Sequence, residues 1–77
     1  MLAKAENSFK KALLEAVDEG LLIVGESGRK ATYFHLQNSA ALKKEEIADK
    51  PEIFAEGLWK IFGVGAKVIE LSIIENL

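Results

Sequence analysis

The 77-residue chain contains no cysteine and only one histidine. Without cysteine it can form neither disulfides nor thiolate metal sites, and this fits a reducing compartment. With a single histidine, a zinc site would have to be built mainly from carboxylates, which is a poor ligand set for zinc. The composition therefore predicts neither a metal site nor a metal cofactor.

The chain also has no large excess of charge of one sign and no long apolar run. Ten basic residues stand against twelve acidic ones, a net charge of −2, and no basic tract is longer than two residues. Duplex binding uses several Lys or Arg contacts gathered on one face, so the composition disfavours nucleic acid as a partner. No apolar run reaches the length of a membrane span, and the N-terminus lacks a signal-peptide core. The default expectation is a cytoplasmic protein.

The length limits the chain to one domain. For a mass of 8.4 kDa, the usual scaling gives about 4,600 Å² of accessible surface when folded and about 12,200 Å² when unfolded. About 60% of the surface is then buried. A stability of about 4–12 kcal/mol is expected at typical values per residue. This suffices for a monomer with little margin.

Apolar residues recur at steps of three and four along most of the chain, which is typical of amphipathic helices. No segment shows the period-two alternation of a strand. The spacing predicts helices over residues 8–24, 27–40, 50–62 and 66–77. The predicted fold is therefore a compact all-α four-helix domain covering residues 1–77, with short glycine-based turns.

Polar residues predict where three of the helices start. Asn7 or Ser8 can accept hydrogen bonds from the first free amides of the first helix, and Ser27 fits the same role for the second. Asp49, three residues before Glu52, resembles a capping box at the start of the third. These three helix starts are thus expected to be capped by side chains.

Glycines predict close packing and helix ends. Gly20 lies on the apolar side of the first helix, where a missing Cβ lets another backbone approach. Gly25 fits a position after a helix that needs a positive φ angle, and Gly63 can end the third helix in the same way. Gly65 lies at the entry to the fourth. We therefore expect a packing role for Gly20 and turns at the others.

The stretch "LLIVGESGRKAT", residues 21–32, superficially resembles a phosphate-binding loop. A Walker A loop needs four residues between its glycines, followed directly by Lys and Ser or Thr. Here two residues separate Gly25 from Gly28, Arg29 stands before Lys30, and alanine follows. The chain is also too short for the parallel sheet that carries such a loop. A nucleotide site of this kind is excluded.

A weaker anion site remains as an alternative. Ser27, Arg29 and Lys30 open the predicted second helix, and helix N-termini attract anions. With Lys67, this basic helix start could contact nucleic acid or phosphate. A solvated first turn explains the same residues more simply, and the pattern favours that interpretation.

His35 supports a second, minor alternative, because small helical bundles can carry a phosphoryl-accepting histidine on an exposed face. Its helical neighbours are Ala31, Thr32, Asn38 and Ser39, which permit this role without specifying it. A single histidine on a helix is more often a surface residue. No Ser–His–acid set with convergent spacing is present. The sequence therefore predicts a protein that is not an enzyme.

The fourth predicted helix is apolar on two sides. One stripe contains Ala66, Ile69 and Ile73, and the other contains Val68, Leu71 and Ile74. Such a helix is either central to its own fold or shared with a partner, and the spacing alone leaves both open. We predict a homodimer. The candidate interface residues are Trp59, Phe62, Val68, Leu71, Ile74 and Leu77.

Five pieces of the chain together resemble a small archaeal family of all-helical domains, the output domains of the Nitrosopumilus type. The pieces are "DEGL", "GES", "YFHL", "KPE-F" and "IFG-GAK". The resemblance covers nearly the whole chain and implies an output or interaction role, alone or joined to signalling modules. It brings no ligand or active residues. It also implies a continuation past Leu77, where the apolar pattern is still running.

Overall fold

Four α-helices joined through short 3-10 segments make up the described chain. The computed structural model describes the backbone of residues 2–77 and the side chains of residues 8–77. The helices are α1 (Leu2–Leu21), α2 (Gly25–Ala40), α3 (Pro51–Phe62) and α4 (Ala66–Glu75). No strand occurs within residues 2–77, so the predicted all-α class is confirmed. Only α1 and α2, with 20 and 16 residues, are long. The arrangement is therefore less regular than the predicted four-helix domain.

The three 3-10 segments are Leu22–Val24, Lys44–Glu46 and Gly63–Gly65. The first and third connect directly to the helices on either side, which keeps those connections short. The radius of gyration is 12.1 Å, close to the value of about 11.5 Å expected for a compact domain of this length. The predicted compactness is confirmed.

The core lies where α1 and α4 pack against each other and where α2 and α3 close over them. On α1 and α2 the buried side chains are Ala16, Val17, Leu21 and Leu36, and on α3 and α4 they are Phe54, Leu58, Ala66, Ile69 and Ile73. The connection between α2 and α3 adds Leu42 and Ile47. These eleven residues form one cluster, so a single core holds the elements together.

Gly20 sets the closest approach of α1 and α4. A Cβ atom at this position would lie 2.5 Å from Cγ1 of Ile73 and 2.7 Å from its Cα and its backbone nitrogen. Real Cβ atoms do not approach other atoms this closely, so only glycine fits between the two backbones. The predicted role of Gly20 in packing is confirmed.

The glycine-based turns are also found where the sequence predicts them. Gly25 and Gly63 have φ angles of 84° and 58°, which side chains with a Cβ rarely adopt. Gly63 follows the last residue of α3, and Gly65 directly precedes α4. Each turn thus uses the backbone freedom of glycine to start a new helix within a few residues.

Two of the predicted helix starts are wrong. α1 begins at Leu2 and not at Ser8, and its α-helical part ends at Leu21 before the 3-10 segment that reaches Val24. Ser27 lies inside α2 and is not its N-cap, since α2 begins at Gly25. The 3-10 segment runs almost directly into α2, which moves the N-cap position back to Val24, a residue without a side-chain cap.

The predicted capping box at the start of α3 is wrong as well. Lys50 is the N-cap and no side chain caps this end, although Pro51 occupies the first turn as predicted. The Asp49 carboxylate is instead 2.7 Å from the ammonium group of Lys10 on α1. Asp49 therefore forms an ion pair and does not cap the start of α3, the role that the sequence pattern predicted for it.

A side-chain cap does occur one turn earlier, at the 3-10 segment Lys44–Glu46. The backbone N–H of Lys43 donates to Oε1 of Glu46 at 3.0 Å, and the Lys50 ammonium group donates to Oε2 at 3.1 Å. The backbone hydrogen bond first, and the Lys50 contact second, hold the pKa of Glu46 below its ordinary value. Glu46 thus stabilises the connection that leads into α3.

α2 ends at a left-handed residue that has a side chain. Ala41 has φ 51° and ψ 35°, and its N–H donates to the Leu36 carbonyl. The N–H of Leu42 donates to the same oxygen at 3.2 Å. These two bonds to one carbonyl close the end of the helix, and Leu42 is buried in the core. A residue with a Cβ in this conformation costs about 1–2 kcal/mol.

We therefore expect Ala41→Gly to stabilise the protein by about 1 kcal/mol. The melting temperature should rise by about 4–8 °C for a domain of this size, as measured by circular dichroism. Ala40→Gly, within the last turn of α2, is the matched control. It should lower stability by about 0.5–1 kcal/mol. Equal losses in both variants would contradict the assigned role of Ala41.

Candidate functional site

An uncovered apolar surface lies on the side of α4 that faces away from the core. Val68, Leu71 and Ile74 are 54%, 60% and 61% exposed, whereas Ala66, Ile69 and Ile73 on the other side of the helix are buried. The cause is the double stripe of apolar residues in a helix of ten residues, of which α1 covers only one.

Leu77 extends this surface beyond the end of the helix. It is exposed, and its backbone N–H donates to the carbonyl of Ile74 at 3.0 Å, which places it beside the last turn. We call Val68, Leu71, Ile74 and Leu77 the α4 face. Contiguous apolar patches of more than a few hundred Å² on a protein surface commonly mark interaction sites.

The other two predicted interface residues lie on α3. Trp59 is exposed, while Phe62, one turn later, is half-buried and packs against the core. The structure thus brings four of the six predicted residues together on or beside α4. Phe62 stabilises the core of the chain. The sequence pattern could not distinguish this role from a role in an interface.

An open groove of about 230 Å³ lies between α1, α3 and α4. Its lining is apolar apart from the carboxylate-bearing Glu70. The lining residues are Leu13, Val17, Ile47, Pro51, Phe54, Glu70, Ile73 and Ile74. Ile74 belongs both to the groove and to the α4 face, so the two features adjoin.

The candidate anion site contains a carboxylate of its own. Ser27, Arg29 and Lys30 lie within the first two turns of α2 but do not open the helix as predicted, and Oε1 of Glu26 is 3.8 Å from the Arg29 guanidinium. The same oxygen is 4.0 Å from the Lys30 ammonium group. The Glu26 carboxylate therefore offsets part of the positive charge with which Arg29 and Lys30 would attract an anion. Lys67 lies on α4, a different element.

His35 lies on an exposed part of α2, as a phosphoryl acceptor would require. Its Nε2 atom is 3.3 Å from the hydroxyl of Ser39, one turn later. Neither contact nor exposure distinguishes a phosphoryl acceptor from an ordinary surface histidine.

A polar cluster that sequence reasoning missed joins α1, α2 and the connection after α2. The Tyr33 hydroxyl donates to Oδ1 of Asp18 at 2.5 Å, and the Lys44 ammonium group donates to Oδ2 at 2.7 Å. The same ammonium group lies 5.4 Å from the centre of the Tyr33 ring, within reach of a cation–π attraction. Asp18 and Lys44 are 26 residues apart, so no local pattern could have indicated the contact.

The cluster shifts the pKa values of two of its members. Burial of Tyr33, followed by its hydrogen bond to Asp18 and the charge of that carboxylate, raises the pKa of the Tyr33 phenol well above 10.0. Partial burial alone would raise the pKa of Asp18. The hydrogen bonds from Lys44 and Tyr33, with the positive charges of Lys44 and Arg29, outweigh it and lower the pKa below 3.8. A phenol held neutral in this way is a poor base, so the cluster is suited to holding the elements together.

The raised pKa of Tyr33 predicts a loss of stability in alkali. A group whose pKa is higher in the folded state stabilises the fold below its unfolded pKa, about 10 for tyrosine. That contribution is lost as the pH rises above this value. Tyr33→Phe should remove this pH dependence and cost about 1–2 kcal/mol at neutral pH through the lost hydrogen bond to a charged acceptor.

Ultraviolet titration tests this directly, because Tyr33 is the single tyrosine of the chain. The tyrosinate absorbance of the folded protein should appear only well above the pH at which the unfolded chain in denaturant ionises. Coincident titration of the folded and unfolded chains would contradict the assigned hydrogen bond.

The described residues offer neither a metal site nor a membrane-spanning helix. Among them, no group of three or more His, Cys, Asp or Glu side chains could hold a metal ion. No helix in the described part of the chain combines the length and the apolar character that crossing a membrane requires. The α4 face and the adjoining groove are thus the candidate functional surfaces.

Comparison of the chain with protein-family models, with curated proteins and with solved structures finds no match. The resemblance to the archaeal output domains therefore stays an expectation from the sequence. What the protein does has to be argued from its own surfaces.

Proposed function

We propose that this chain is a cytoplasmic, non-enzymatic four-helix domain that acts through protein–protein contact, in a signalling-output role, and that it forms a homodimer through the α4 face. One observation carries the proposal. Val68, Leu71, Ile74 and Leu77 are each more than half exposed, although the opposite side of α4 lies in the core.

The exposure of these residues has a thermodynamic cost that a partner would remove. Burying a large aliphatic side chain contributes about 1.5–3 kcal/mol relative to leaving it in water. Only Glu75 and Lys67 interrupt the apolar residues on the outward side of α4. The centre of a protein interface is likewise poor in charged residues.

Sedimentation equilibrium of the whole chain tests the proposal. We expect a mass of twice 8.4 kDa at micromolar concentrations and dissociation on dilution. A single species of monomer mass at high micromolar concentration would show that the α4 face does not mediate self-association.

A further inference from the structure

Two opposite charges lie towards the two ends of the α4 face. Ile69 and Ile73, two residues before and two residues after Leu71, are buried. A helix turns by about 100° per residue, so Leu71 lies almost opposite both and marks the middle of the outward side. Lys67 and Glu75 lie four residues before and after Leu71, and both are exposed. Residues four apart share one side of a helix, so the two charges flank Leu71 at about 6 Å each along the helix axis.

Neither charge is balanced by a neighbour in the described part of the chain. Among residues 8–77, no ion pair includes Lys67 or Glu75, whereas Lys60 on α3 pairs with Glu56. α4 has no acidic residue in its first turn and no basic residue in its last. The N-terminus of a helix carries a partial positive charge and its C-terminus a partial negative charge. Lys67 at the first end and Glu75 at the second therefore lie where the helix itself disfavours them.

Two α4 helices that pack side by side about a twofold axis are either antiparallel or parallel. In an antiparallel pair centred on Leu71, residues before Leu71 in one copy lie at the same height as residues after it in the other. Lys67 of each copy then lies at the height of Glu75 of the other copy. In a parallel pair each residue lies at the height of its own equivalent, so lysine would meet lysine and glutamate would meet glutamate. Only the antiparallel pair compensates both charges, since like charges brought together across an interface repel.

We propose that the homodimer pairs its α4 helices antiparallel, centred on Leu71, with reciprocal ion pairs between Lys67 of one copy and Glu75 of the other. The inference rests on the proposed self-association through the α4 face and adds to it the orientation and register of the two copies. The apolar side chains supply the buried area, and the charges fix the register. Each Glu75 carboxylate then also lies beside the N-terminus of α4 of the other copy, where the partial charge of the helix favours an anion.

Sedimentation equilibrium of charge variants tests the orientation. Lys67→Glu should raise the dimer dissociation constant about tenfold or more, because glutamate would meet glutamate at both ends of the helix pair. Glu75→Lys should act similarly, and the chain that carries both reversals should return to within about twofold of the original constant. Lys30→Glu is the matched control, since this side chain is exposed on α2 and the net charge changes equally. It should leave the constant unchanged, and circular dichroism shows that each variant is folded.

A neutral substitution separates the two orientations by the sign of its effect. In the antiparallel dimer Lys67→Gln removes an attraction and should weaken dimerisation about two- to tenfold. In a parallel dimer the same change removes a repulsion and strengthens dimerisation. Unchanged or tighter dimerisation of Lys67→Gln would therefore overturn the inference and leave the proposed dimer intact. A wild-type chain that stays monomeric would overturn the proposed function as well.

A distance between spin labels tests the orientation without altering either charge. The chain has no cysteine, and Val64 is 79% exposed, so Val64→Cys provides a single site for a nitroxide label. Val64 precedes Leu71 by seven residues, which places the two labels about 20 Å or more apart in the antiparallel dimer and about 10 Å apart in a parallel one. Electron paramagnetic resonance measures this distance, and a value near the shorter one would contradict the antiparallel arrangement.

Discussion

Replacing Leu71 and Ile74 together with glutamate should give a folded monomer. Both side chains are more than half exposed, so the charges remain in water and the monomer loses little stability. In the dimer, however, two carboxylates on each copy would lie within an apolar surface and lose their hydration. We expect dimerisation to weaken by a factor of about 100 or more. Sedimentation measures the mass, and circular dichroism measures the retained helix.

Ile23→Glu and Ile53→Glu are the controls for this result. Ile23, in the first 3-10 segment, and Ile53, on α3, are exposed apolar residues outside the α4 face. Each change adds a charge without touching the proposed interface and should leave the dimer intact. Unfolding of the double variant would show that Leu71 and Ile74 belong to the core. A folded dimer of that variant would place the interface elsewhere.

Gly20→Ala should cause the largest loss of stability of any single change considered. The new methyl group would lie 2.7 Å from the Cα and the backbone nitrogen of Ile73, and backbone atoms cannot rotate away as side-chain atoms do. α1 and α4 must then separate along their contact. Overpacking costs about 1–3 kcal/mol or more, against about 1 kcal/mol gained from the helix propensity of alanine. Because the clash is with backbone atoms, we take the upper end of this cost, about 3 kcal/mol, and expect a net loss of about 2 kcal/mol in the free energy of unfolding.

Alanine substitutions at two other glycines test whether the close approach of the Ile73 backbone to residue 20 causes the loss of stability. An added Cβ at Gly57 would meet only the far end of the Leu36 side chain, which can move, so a smaller loss is expected. At Gly65 the nearest atom is 3.8 Å away and φ is −64°, so Gly65→Ala should be neutral or stabilising by about 0.4–1 kcal/mol. Urea unfolding gives the three values, and a Gly20→Ala variant as stable as Gly65→Ala would contradict the assigned contact.

Local signals in the sequence predicted most of the secondary structure. The positive φ angles at Gly25 and Gly63, the position of Pro51 and the close contact at Gly20 follow from properties of single residues. The wrong helix starts have a local cause too. Ser27 is a good cap by residue type, but the preceding 3-10 segment leaves no room for a separate cap before α2.

The contacts that hold the helices together could not be predicted in the same way. Asp18 and Lys44, as well as Lys10 and Asp49, pair across long stretches of chain, and several other charged residues of the same types were equally available. The sequence also did not predict which side of α4 faces the core, because both of its apolar stripes are aliphatic. The space beside Gly20 decides it, since the backbone of Ile73 fits there and the Ile69–Ile73 side turns inwards.

Methyl-group NMR with a soluble paramagnetic agent measures most directly whether the α4 face is an interface. At low concentration, the methyl groups of Val68, Leu71 and Ile74 should broaden as strongly as those of Ile23, since all four side chains are exposed in one chain. As the concentration rises and the mass doubles, the three α4 residues should become protected while Ile23 stays accessible. Continued broadening of all four in a sample of doubled mass would contradict an interface at α4.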